Sequence, residues 1–498
     1  MIVNRLYISK VKRDIFPSIC YCIYMEAKYQ VSDLLNLTKP ELISIILDLQ
    51  DRLNYLEQRI QKVEGQLHKD SHNSHLPPSK SLRLPIKNLR EKTGKPPGGQ
   101  SGHPGQTLQM VSQPTRTITY PVSRCEQCGQ DLSLMPVTEC ERRQVFDIPS
   151  LLCEVSEYRI EKKRCTCGHV TSAIFPETVS APVQYGINIQ TLASLLANHE
   201  YVGYERISDL LEYLIGYRVN EATIYANQDK LFTNLTDFED QVKLHLTASE
   251  VIGNDETGIR IEGKRQWVHV SSNKELTHYA VDPKRGKEAT DRIGILPQFQ
   301  GRTMHDDWKP YYEYQQCRHG SCNAHHLREL TFFEEEEKAS WARPLKDWLL
   351  SIKAAVEKAK SGGKDRLNPE VLQEYSRSYS EMLARGLENL PSPVRTGKRG
   401  RLTKTKQQNF IERMLELKES VLAFMYDFSV PFDNNLAERD LRMMKLKDKV
   451  SGSFRSFHGA QCFARIRSYI STVQKQGYNV FEEIKKALLG QPFLLQEW

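Results

Sequence analysis

The chain has 498 residues, more than one hydrophobic core usually organises, so we expect two to four domains. Hydrophobic residues make up 39% of the chain, enough for globular folding, and the net charge of +7 is too small at this length to define a partner by itself. The 11 cysteines lack the regular spacing of a disulfide framework, which argues against a secreted disulfide scaffold and favours a reducing compartment in which some thiols bind metal.

The longest apolar run near the start of the chain, residues 15–25, is too short to span a bilayer, so we expect no membrane partner. Lys10, Lys12 and Arg13 lie just before the run, which leaves a signal peptide open, but no small-residue cleavage pattern follows it. Met25 begins a more polar stretch. We therefore predict that residues 1–24 are either an upstream translational extension or a poorly folded lead.

Residues 25–67 are predicted to form a coiled coil. Apolar residues recur at alternating spacings of four and three over nearly four heptads, at Leu42, Ile46, Leu49, Leu53, Leu56, Ile60, Val63 and Leu67. A strict repeat of 3.5 residues favours pairing with another helix, so we expect a homo-oligomer. The alternative is an amphipathic helix that packs on its own domain.

Residues 68–118 are predicted to be a basic linker rich in proline and glycine. From Lys69 to Lys95 seven basic residues face only two acidic ones, and the sequence GKPPGGQSGHPGQTL occupies residues 94–108. This composition buries too little apolar surface to fold by itself. We expect the cations of the linker to follow DNA.

Residues 119–180 are predicted to form a zinc-binding domain. Two close cysteine pairs, Cys125-x-x-Cys128 and Cys165-x-Cys167, bracket a segment with the alternation of β-strands. Thiolates from two such turns converge on a tetrahedral structural Zn²⁺ once the strands between them pair. The alternative is a small β-domain with unligated cysteines. The second pair departs from the usual ribbon spacing, which leaves other ligands open: Cys140, Cys153 and His169.

Residues 181–245 show helical periodicity in three segments separated by Gly216 and Asn220. Three short helices separated in this way are consistent with a helix-turn-helix, in which the third segment would enter a groove of DNA. Small three-helix units without any role in DNA binding are also common, so both interpretations stay open.

Residues 246–330 change to a period of two, which predicts a meander of at least three strands followed by a helix and another strand. Such a unit is mixed α/β. Asp255 is predicted to end the first strand and Asp306 to end the last. Carboxylates at neighbouring strand ends can converge on divalent metal ions, whereas the alternative is that both aspartates only form turns.

Residues 331–429 contain several helical segments, which predict a helical insertion that serves DNA contact, assembly or packing alone. Residues 430–475 are predicted to complete the core with a helix that carries Glu438, and residues 476–498 to form a C-terminal tail. Glu438 is either a metal ligand or the glutamate of a capping box, because it lies three residues after Asn435.

Five metal-ligating side chains lie close together in the sequence: Cys317, His319, Cys322, His325 and His326. Their spacing matches no zinc ribbon or finger, and they lead into a predicted helix, so a second zinc site is disfavoured. We expect instead that His325 or Arg328 lies near the active site.

Several motifs together resemble the DDE transposases of bacterial insertion sequences, most closely the large transposase of the insertion sequence sixty-six family. From about Met25 onward the resemblance rests on GKPPGGQSGHPGQ, the cysteine-pair segment ending FPETVSAPVQYG, DETG, HDDWKPYY, CNAHHLREL and PFDNNLAERDLRMMK. It implies a ribonuclease-H-like catalytic core whose three carboxylates, Asp255, Asp306 and Glu438, bind Mg²⁺ or Mn²⁺. Asp307 stands where the family pattern varies and ranks below Asp306.

The resemblance also implies a reaction and its partners. Metal-activated water cuts DNA at the ends of the element, and the freed 3′ hydroxyl attacks target DNA without a covalent protein intermediate. Arg439, Arg442 and Lys445 would contact phosphates. The expected partner is double-stranded DNA, as element ends and as target, at the nucleoid of the bacterial cytoplasm; a role for accessory proteins of the same element is left open. The alternatives are a metal-dependent nuclease of related fold and a catalytically idle DNA-binding regulator.

Overall fold

The computed structural model of the chain describes residues 37–67, 110–146, 153–167, 169–392 and 404–495. The chain divides into two units: the described part of the first is residues 37–67, and the second contains all the other described residues. The predictions for residues 1–24 and for most of the basic linker lie outside the described residues.

The described part of the first unit forms one long helix, α1 (Lys39–Leu67). The helix begins where the backbone amide and the hydroxyl of Thr38 donate to the Glu41 carboxylate at 2.8 and 2.6 Å. The apolar side chains of the predicted heptads are about half exposed: Ile46, Leu49, Leu53, Leu56 and Ile60. A single helix cannot bury such a stripe by itself, so the stripe is suited to a partner helix.

The predicted zinc segment contains two tight turns, each carrying one cysteine pair. In the first turn the Cys125 amide donates to the Gln130 carbonyl at 2.9 Å, and Gly129 adopts the left-handed conformation with φ = 75°. The second turn joins β1 (Lys162–Arg164) to β2 (Val170–Ser172), which pair antiparallel. Local backbone pairing therefore holds each turn closed around its two cysteines.

Three helices follow, as predicted: α2 (Ile187–Asn198), α3 (Tyr204–Ile215) and α4 (Glu221–Asn234). Gly216 ends α3 with φ = 76°, and the Asn220 side chain begins α4 by accepting from the Ala222 amide at 2.8 Å. The three helices share a small core formed by Ala193, Ala197, Ile207, Leu211, Val219 and Ile224. Gly216 and Asn220, which separate the predicted helical segments, thus lie at helix ends in the structure.

Helix α5 (Thr236–Ala248) leads into a five-stranded mixed sheet, which confirms the mixed α/β prediction. The order of its strands is β5-β4-β3-β6-β7. The strands are β3 (Val251–Ile261), β4 (Lys264–Ser272), β5 (Thr277–Asp282), β6 (Arg302–His305) and β7 (Arg318–Ser321). β3, β4 and β5 pair antiparallel, whereas β6 pairs parallel with both β3 and β7. Shorter elements connect β5 to β7: α6 (Lys287–Ile293) and two 3₁₀ turns, Leu296–Gln298 and Lys309–Glu313.

β3 is longer than predicted, and this changes the position of Asp255. The alternating segments on either side of Gly258 form one strand of 11 residues, so Asp255 lies inside β3 and the prediction that it ends a strand is wrong. The physical reason is that antiparallel pairing with β4 continues to Ile261, whereas the parallel pairing with β6 reaches only Gly253. Asp306 does follow the last residue of β6, as predicted.

Between the sheet and the helix that carries Glu438, the described residues form six helices. They are α7 (Asn323–Glu335), α8 (Ala342–Ser361), α9 (Pro369–Glu388), α10 (Lys406–Glu416), α11 (Lys418–Val421) and α12 (Ala423–Tyr426). They build a hydrophobic core to which Leu345, Leu349, Ile352, Phe410 and Ile411 contribute. The helical segments predicted for this region are confirmed. Among the described residues, every helix is too short or too polar to cross a membrane.

The last three described helices are α13 (Asn435–Ser451), α14 (Phe457–Lys475) and α15 (Val480–Leu488). α14 packs across β5, where the Tyr279 amide donates to Ser468 Oγ at 2.8 Å. α15 lies in the segment predicted as a C-terminal tail, and Ile484, Ala487 and Leu488 are buried in a core shared with α5 and β3. This segment is therefore part of the folded core.

Candidate active site

Two neighbouring strands place Asp255 and Asp306 side by side. β3 and β6 run parallel, and Gly253 lies opposite Met304. Asp255 and Asp306 follow two residues further along the two chains, and a step of two residues keeps a side chain on the same face of a strand. The two carboxylates therefore face the same side of the sheet at the end of β6.

Gly253 allows α13 to come close enough to add a third carboxylate. The start of α13 packs on β3, where the Asn434 side-chain amide donates to the Asn254 carbonyl at 2.9 Å. A Cβ atom on Gly253 would collide with the Asn434 side chain and lie 3.1 Å from the Ala437 Cβ. Helix and strand meet directly because this position has no side chain. Glu438 follows Ala437 and lies in the first turn of the helix.

Residues of α7, and the cysteine just before it, surround the Glu438 carboxylate. His325 Nε2 lies 3.0 Å and Cys322 Sγ 3.6 Å from Glu438 Oε1, while Arg328 Nη2 lies 3.8 Å from Oε2. On α13 itself, Arg442 Nη2 lies 3.7 Å from Oε2. Both His325 and Arg328, which were expected near the active site, contact Glu438. The contact between Cys322 and Glu438 was not predicted, because 116 positions of sequence separate the two residues.

The structure also decides how the side chain of Glu438 is oriented. In a capping box the Asn435 amide would donate to Glu438, but here it donates to Asp433 Oδ1 at 3.1 Å. The Glu438 side chain points toward α7 instead. Its contacts are therefore with Cys322, His325 and Arg328 and are not those of a helix cap.

The Asp255 carboxylate is repelled by neighbouring negative charges, and Asp255, Asp306 and Glu438 are called the carboxylate cluster below. Burial raises the pKa of Asp255 well above its usual range, and the negative charges of Glu256, Asp306 and Glu438 raise it further. Burial also raises the pKa of Glu438, but the hydrogen bond from His325 and the charges of His325 and two arginines outweigh it, so this pKa lies below its usual value. A divalent cation would relieve the repulsion, and carboxylate oxygens are the donors that Mg²⁺ prefers. The donor set therefore fits Mg²⁺ or Mn²⁺.

The Asp307 side chain lies in a buried hydrogen-bond network that stabilises the fold. Its backbone has φ = 62°, which turns the side chain into a buried network. There its carboxylate accepts from Ser321 Oγ at 2.6 Å and Tyr312 Oη at 2.7 Å, and it pairs with His326 Nε2 at 2.7 Å. Burial raises the pKa of Asp307, but the hydrogen bond and charge of His326 more than offset this, so the pKa lies well below its usual range. The ranking of Asp306 above Asp307 agrees with this geometry.

Glu256 is a fourth carboxylate, which sequence analysis missed. Tyr311 Oη donates to it at 2.5 Å, and Arg285 Nη2 pairs with it at 2.6 Å. Burial raises its pKa by more than the hydrogen bond from Tyr311 lowers it. Glu256 follows Asp255 directly, so its side chain points to the opposite face of β3. Because Asp255 and Glu256 are adjacent acids in one strand, only the tertiary contacts distinguish their roles.

The three cations predicted to contact DNA differ in their surroundings. Arg439 is exposed, and the Arg442 side chain is 66% exposed although it lies near Glu438. The Lys445 ammonium donates to the Gly258 carbonyl, which ties α13 to β3. Arg439 and Arg442 therefore face solvent beside the carboxylate cluster, whereas Lys445 holds the helix on the sheet.

The cysteines predicted to bind zinc come together as two separate pairs. Hydrogen bonding from the Cys128 backbone holds the pKa of Cys125 below its usual value, and the Cys167 backbone does the same for Cys165. This favours the thiolates that bind Zn²⁺. Among the described residues, ligand atoms lie within 4.8 Å of one another in two groups of three: Asp229, His458 and Cys462, and Cys322, His325 and Glu438. A site that joins the two cysteine pairs stays a prediction.

The comparison with protein families assigns the chain to a class. The matching family model represents transposases and spans residues 183–462, which include Asp255, Asp306 and Glu438. That model is the transposase IS66 family, and because the match covers more than half of the sequence, the chain belongs to this family. A comparison with curated proteins gives no significant match. This match confirms the resemblance drawn from the motifs. The function of the family is DNA transposition.

Proposed function

We propose that the chain is a DDE transposase that cuts the ends of its insertion sequence and joins them to target DNA. Asp255, Asp306 and Glu438 would hold the divalent metal ions, Mg²⁺ or Mn²⁺. One observation carries the proposal: two adjacent parallel strands and the first turn of α13 bring three carboxylates from distant parts of the sequence into one electrostatic cluster.

The order of the strands supports a ribonuclease-H-like core. Three antiparallel strands form one half of the sheet, and two strands parallel to β3 form the other. β3 is the central strand and carries Asp255, its parallel neighbour β6 leads to Asp306, and α13 covers the same face with Glu438. The helices α7–α12 form most of one hydrophobic core, into which Met304 of β6 also packs, so they extend this arrangement without interrupting the sheet.

The chemistry assigned to the site is in-line displacement at a phosphodiester, for which the protein supplies positioning and electrostatic stabilisation. Bound metal ions would activate water and stabilise the charge on the leaving oxygen. The paired strands fix the spacing of Asp255 and Asp306. His325 and Arg328 keep Glu438 ionised and orient it. Arg439 and Arg442 lie beside the cluster and would neutralise DNA phosphates.

Further DNA contacts are proposed for the segments before the core. In β1 three consecutive basic residues, Lys162–Arg164, are all exposed beside the second cysteine turn. This supports contact between the zinc-binding domain and the phosphate backbone. The exposed residues of α4 include two acids, Glu221 and Asp229, and one cation, Lys230. A helix-turn-helix role for α4 would therefore rest on shape and hydrogen bonding more than on charge.

Self-association is proposed to occur through α1. Replacing both Leu49 and Leu56 with Lys places two charges in the apolar stripe and is expected to dissociate the oligomer, because charged residues at these positions cannot be buried between helices. Size-exclusion chromatography with light scattering measures the change in mass. Asp51→Lys, a change on the opposite side of the heptad, serves as control and should leave the mass of the oligomer unchanged. An unchanged mass for the double variant would contradict a coiled coil at α1.

Cutting and joining are tested with the full chain and two DNA substrates. Duplexes that carry the intact ends of its element should be cleaved in Mg²⁺, and pre-cleaved ends should be joined to a target plasmid. Both products should disappear when a chelator removes the metal. Cleavage without any joined product would identify a nuclease and overturn the proposal, and DNA binding without cleavage would identify a regulator.

A further inference from the structure

The start of α7 brings a cysteine and a histidine to the Glu438 carboxylate. Cys322 precedes the first residue of α7 and His325 lies three positions on, so both side chains reach the same side of the helix. Their ligand atoms approach one oxygen: Cys322 Sγ is 3.6 Å and His325 Nε2 is 3.0 Å from Glu438 Oε1. A sulfur, a nitrogen and an oxygen thus lie within 4.8 Å of one another.

The surroundings of Cys322 suit a sulfur that acts as a ligand. Cys322 is buried, and the Asn434 amide donates to its Sγ at 3.2 Å. Hydrogen bonds to sulfur of this kind tune metal-bound thiolates. In the metal-free chain the Cys322 thiol donates to Glu438 Oε1, the oxygen that His325 also contacts, so the three ligand atoms already converge. The combination of contacts therefore points to coordination.

We propose that Cys322, His325 and Glu438 form a second metal site, which binds a borderline divalent ion of the Zn²⁺ class. Three protein ligands and a water in the fourth position make up an open zinc site. Binding releases the thiol proton to solvent, and the thiolate and carboxylate together balance the two positive charges of the ion. The mixed sulfur, nitrogen and oxygen donors select against Mg²⁺, which prefers oxygen alone.

The second site competes with the carboxylate cluster for Glu438, and in this respect the inference rests on the proposed function. Glu438 bound next to Cys322 and His325 cannot also complete the site formed with the two aspartates. An ion of the Zn²⁺ class is therefore an inhibitor that chelation reverses. Arg328 and Arg442 lie 3.8 and 3.7 Å from the other carboxylate oxygen and oppose a cation there. The site is expected to exchange its ion and not to hold it permanently.

Cobalt binding to the full chain tests the site without any measurement of activity. Co²⁺ replaces Zn²⁺ and gives a sulfur-to-metal charge-transfer band when a thiolate coordinates it. Other cysteines can contribute bands, so the quantity measured is the difference between the wild type and Cys322→Ser. We expect Cys322→Ser to lose part of this band and one bound Co²⁺. Cys317→Ser is the matched control, because this buried sulfur donates to the Tyr314 carbonyl at 3.3 Å instead.

A second variant keeps the test decisive if Cys322→Ser does not fold. Glu438→Gln retains the thiol and is expected to weaken the Cys322-dependent Co²⁺ binding by roughly tenfold or more. Equal spectra and stoichiometries for the wild type and a folded Cys322→Ser would overturn the second site. If DNA cleavage in Mg²⁺ is intact at the same time, the proposed function stands. Conversely, a Cys322-dependent band in a chain that neither cuts nor joins DNA would overturn the function and support the site.

Discussion

Replacing Asp306 with Asn is expected to abolish DNA cleavage and, at the same time, to stabilise the metal-free protein at neutral pH. The loss of one metal-binding carboxylate removes several kcal/mol of transition-state stabilisation, so the cleavage rate should fall by roughly 10³-fold or more. The stability gain arises because the charge of Asp306 raises the pKa of both Asp255 and Glu256. We expect the gain to be on the order of 1 kcal/mol.

The sign of the stability change depends on pH and on metal. A carboxyl group whose pKa is raised in the folded state costs stability as the pH rises above its unfolded value, about 4. The gain of Asp306→Asn should therefore vanish below about pH 4, where the carboxylates are protonated. Mg²⁺ should reverse it, because a ligand at 100 times its Kd stabilises the wild type by about 2.7 kcal/mol.

Chemical denaturation with and without Mg²⁺ measures these changes, and a cleavage assay on the same preparations measures the rate. Asp365→Asn is the control, because Asp365 is exposed in the turn between α8 and α9. It should leave both quantities unchanged. An Asp306→Asn variant that cleaves DNA at the wild-type rate would contradict the role of Asp306.

Replacing the next residue, Asp307, with Asn is expected to have the opposite effect on stability. Asn tolerates the positive φ of this position, so the backbone is not strained by the change. The loss comes from the side chain: Ser321, Tyr312 and His326 would face a neutral amide in place of a carboxylate. A hydrogen bond to a buried charged group contributes about 1.5 to 3 kcal/mol, and we expect a total loss of about 3 kcal/mol, since Asn retains one acceptor oxygen.

Urea denaturation of Asp307→Asn, with Asp306→Asn as its matched neighbour, checks this prediction. Because the pKa of Asp307 is lowered in the folded state, its contribution is present above its unfolded value of about 4 and is lost as the pH falls below it. The difference between the wild type and Asp307→Asn should therefore shrink in acid. An unchanged unfolding midpoint at neutral pH would show that the buried network does not stabilise the fold.

Local sequence patterns were sufficient to predict most of the elements. The heptads of α1, the glycine and asparagine that bound α3 and α4, and the alternation of β4 and β5 are signals carried by neighbouring residues. The predicted end of the first strand at Asp255 was wrong, because the glycine at Gly258 favours a break in a strand. In the folded chain, pairing with β4 on both sides of Gly258 outweighs its weak strand propensity.

The candidate site was predictable only in part. The family motifs identified Asp255, Asp306 and Glu438, which the structure brings to one face of the sheet. The contact of Cys322 with Glu438 depends on how the start of α7 packs near α13. No local sequence pattern predicts such packing. Likewise, Asp306 and Asp307 are adjacent aspartates with opposite surroundings. Their difference is set by the φ of 62° at Asp307, which the sequence does not show.

The wide separation of the three carboxylates also sets the order in which the enzyme becomes active during its synthesis. Asp255 and Asp306 leave the ribosome well before Glu438, which lies beyond the whole of α7–α12. At about 5 to 20 residues per second, translation of this interval takes on the order of 10 s. Under the proposed function, a growing chain that has already formed β3 and β6 would have only two of the three metal-binding carboxylates. We therefore expect a truncated product that stops before α13 not to cut DNA.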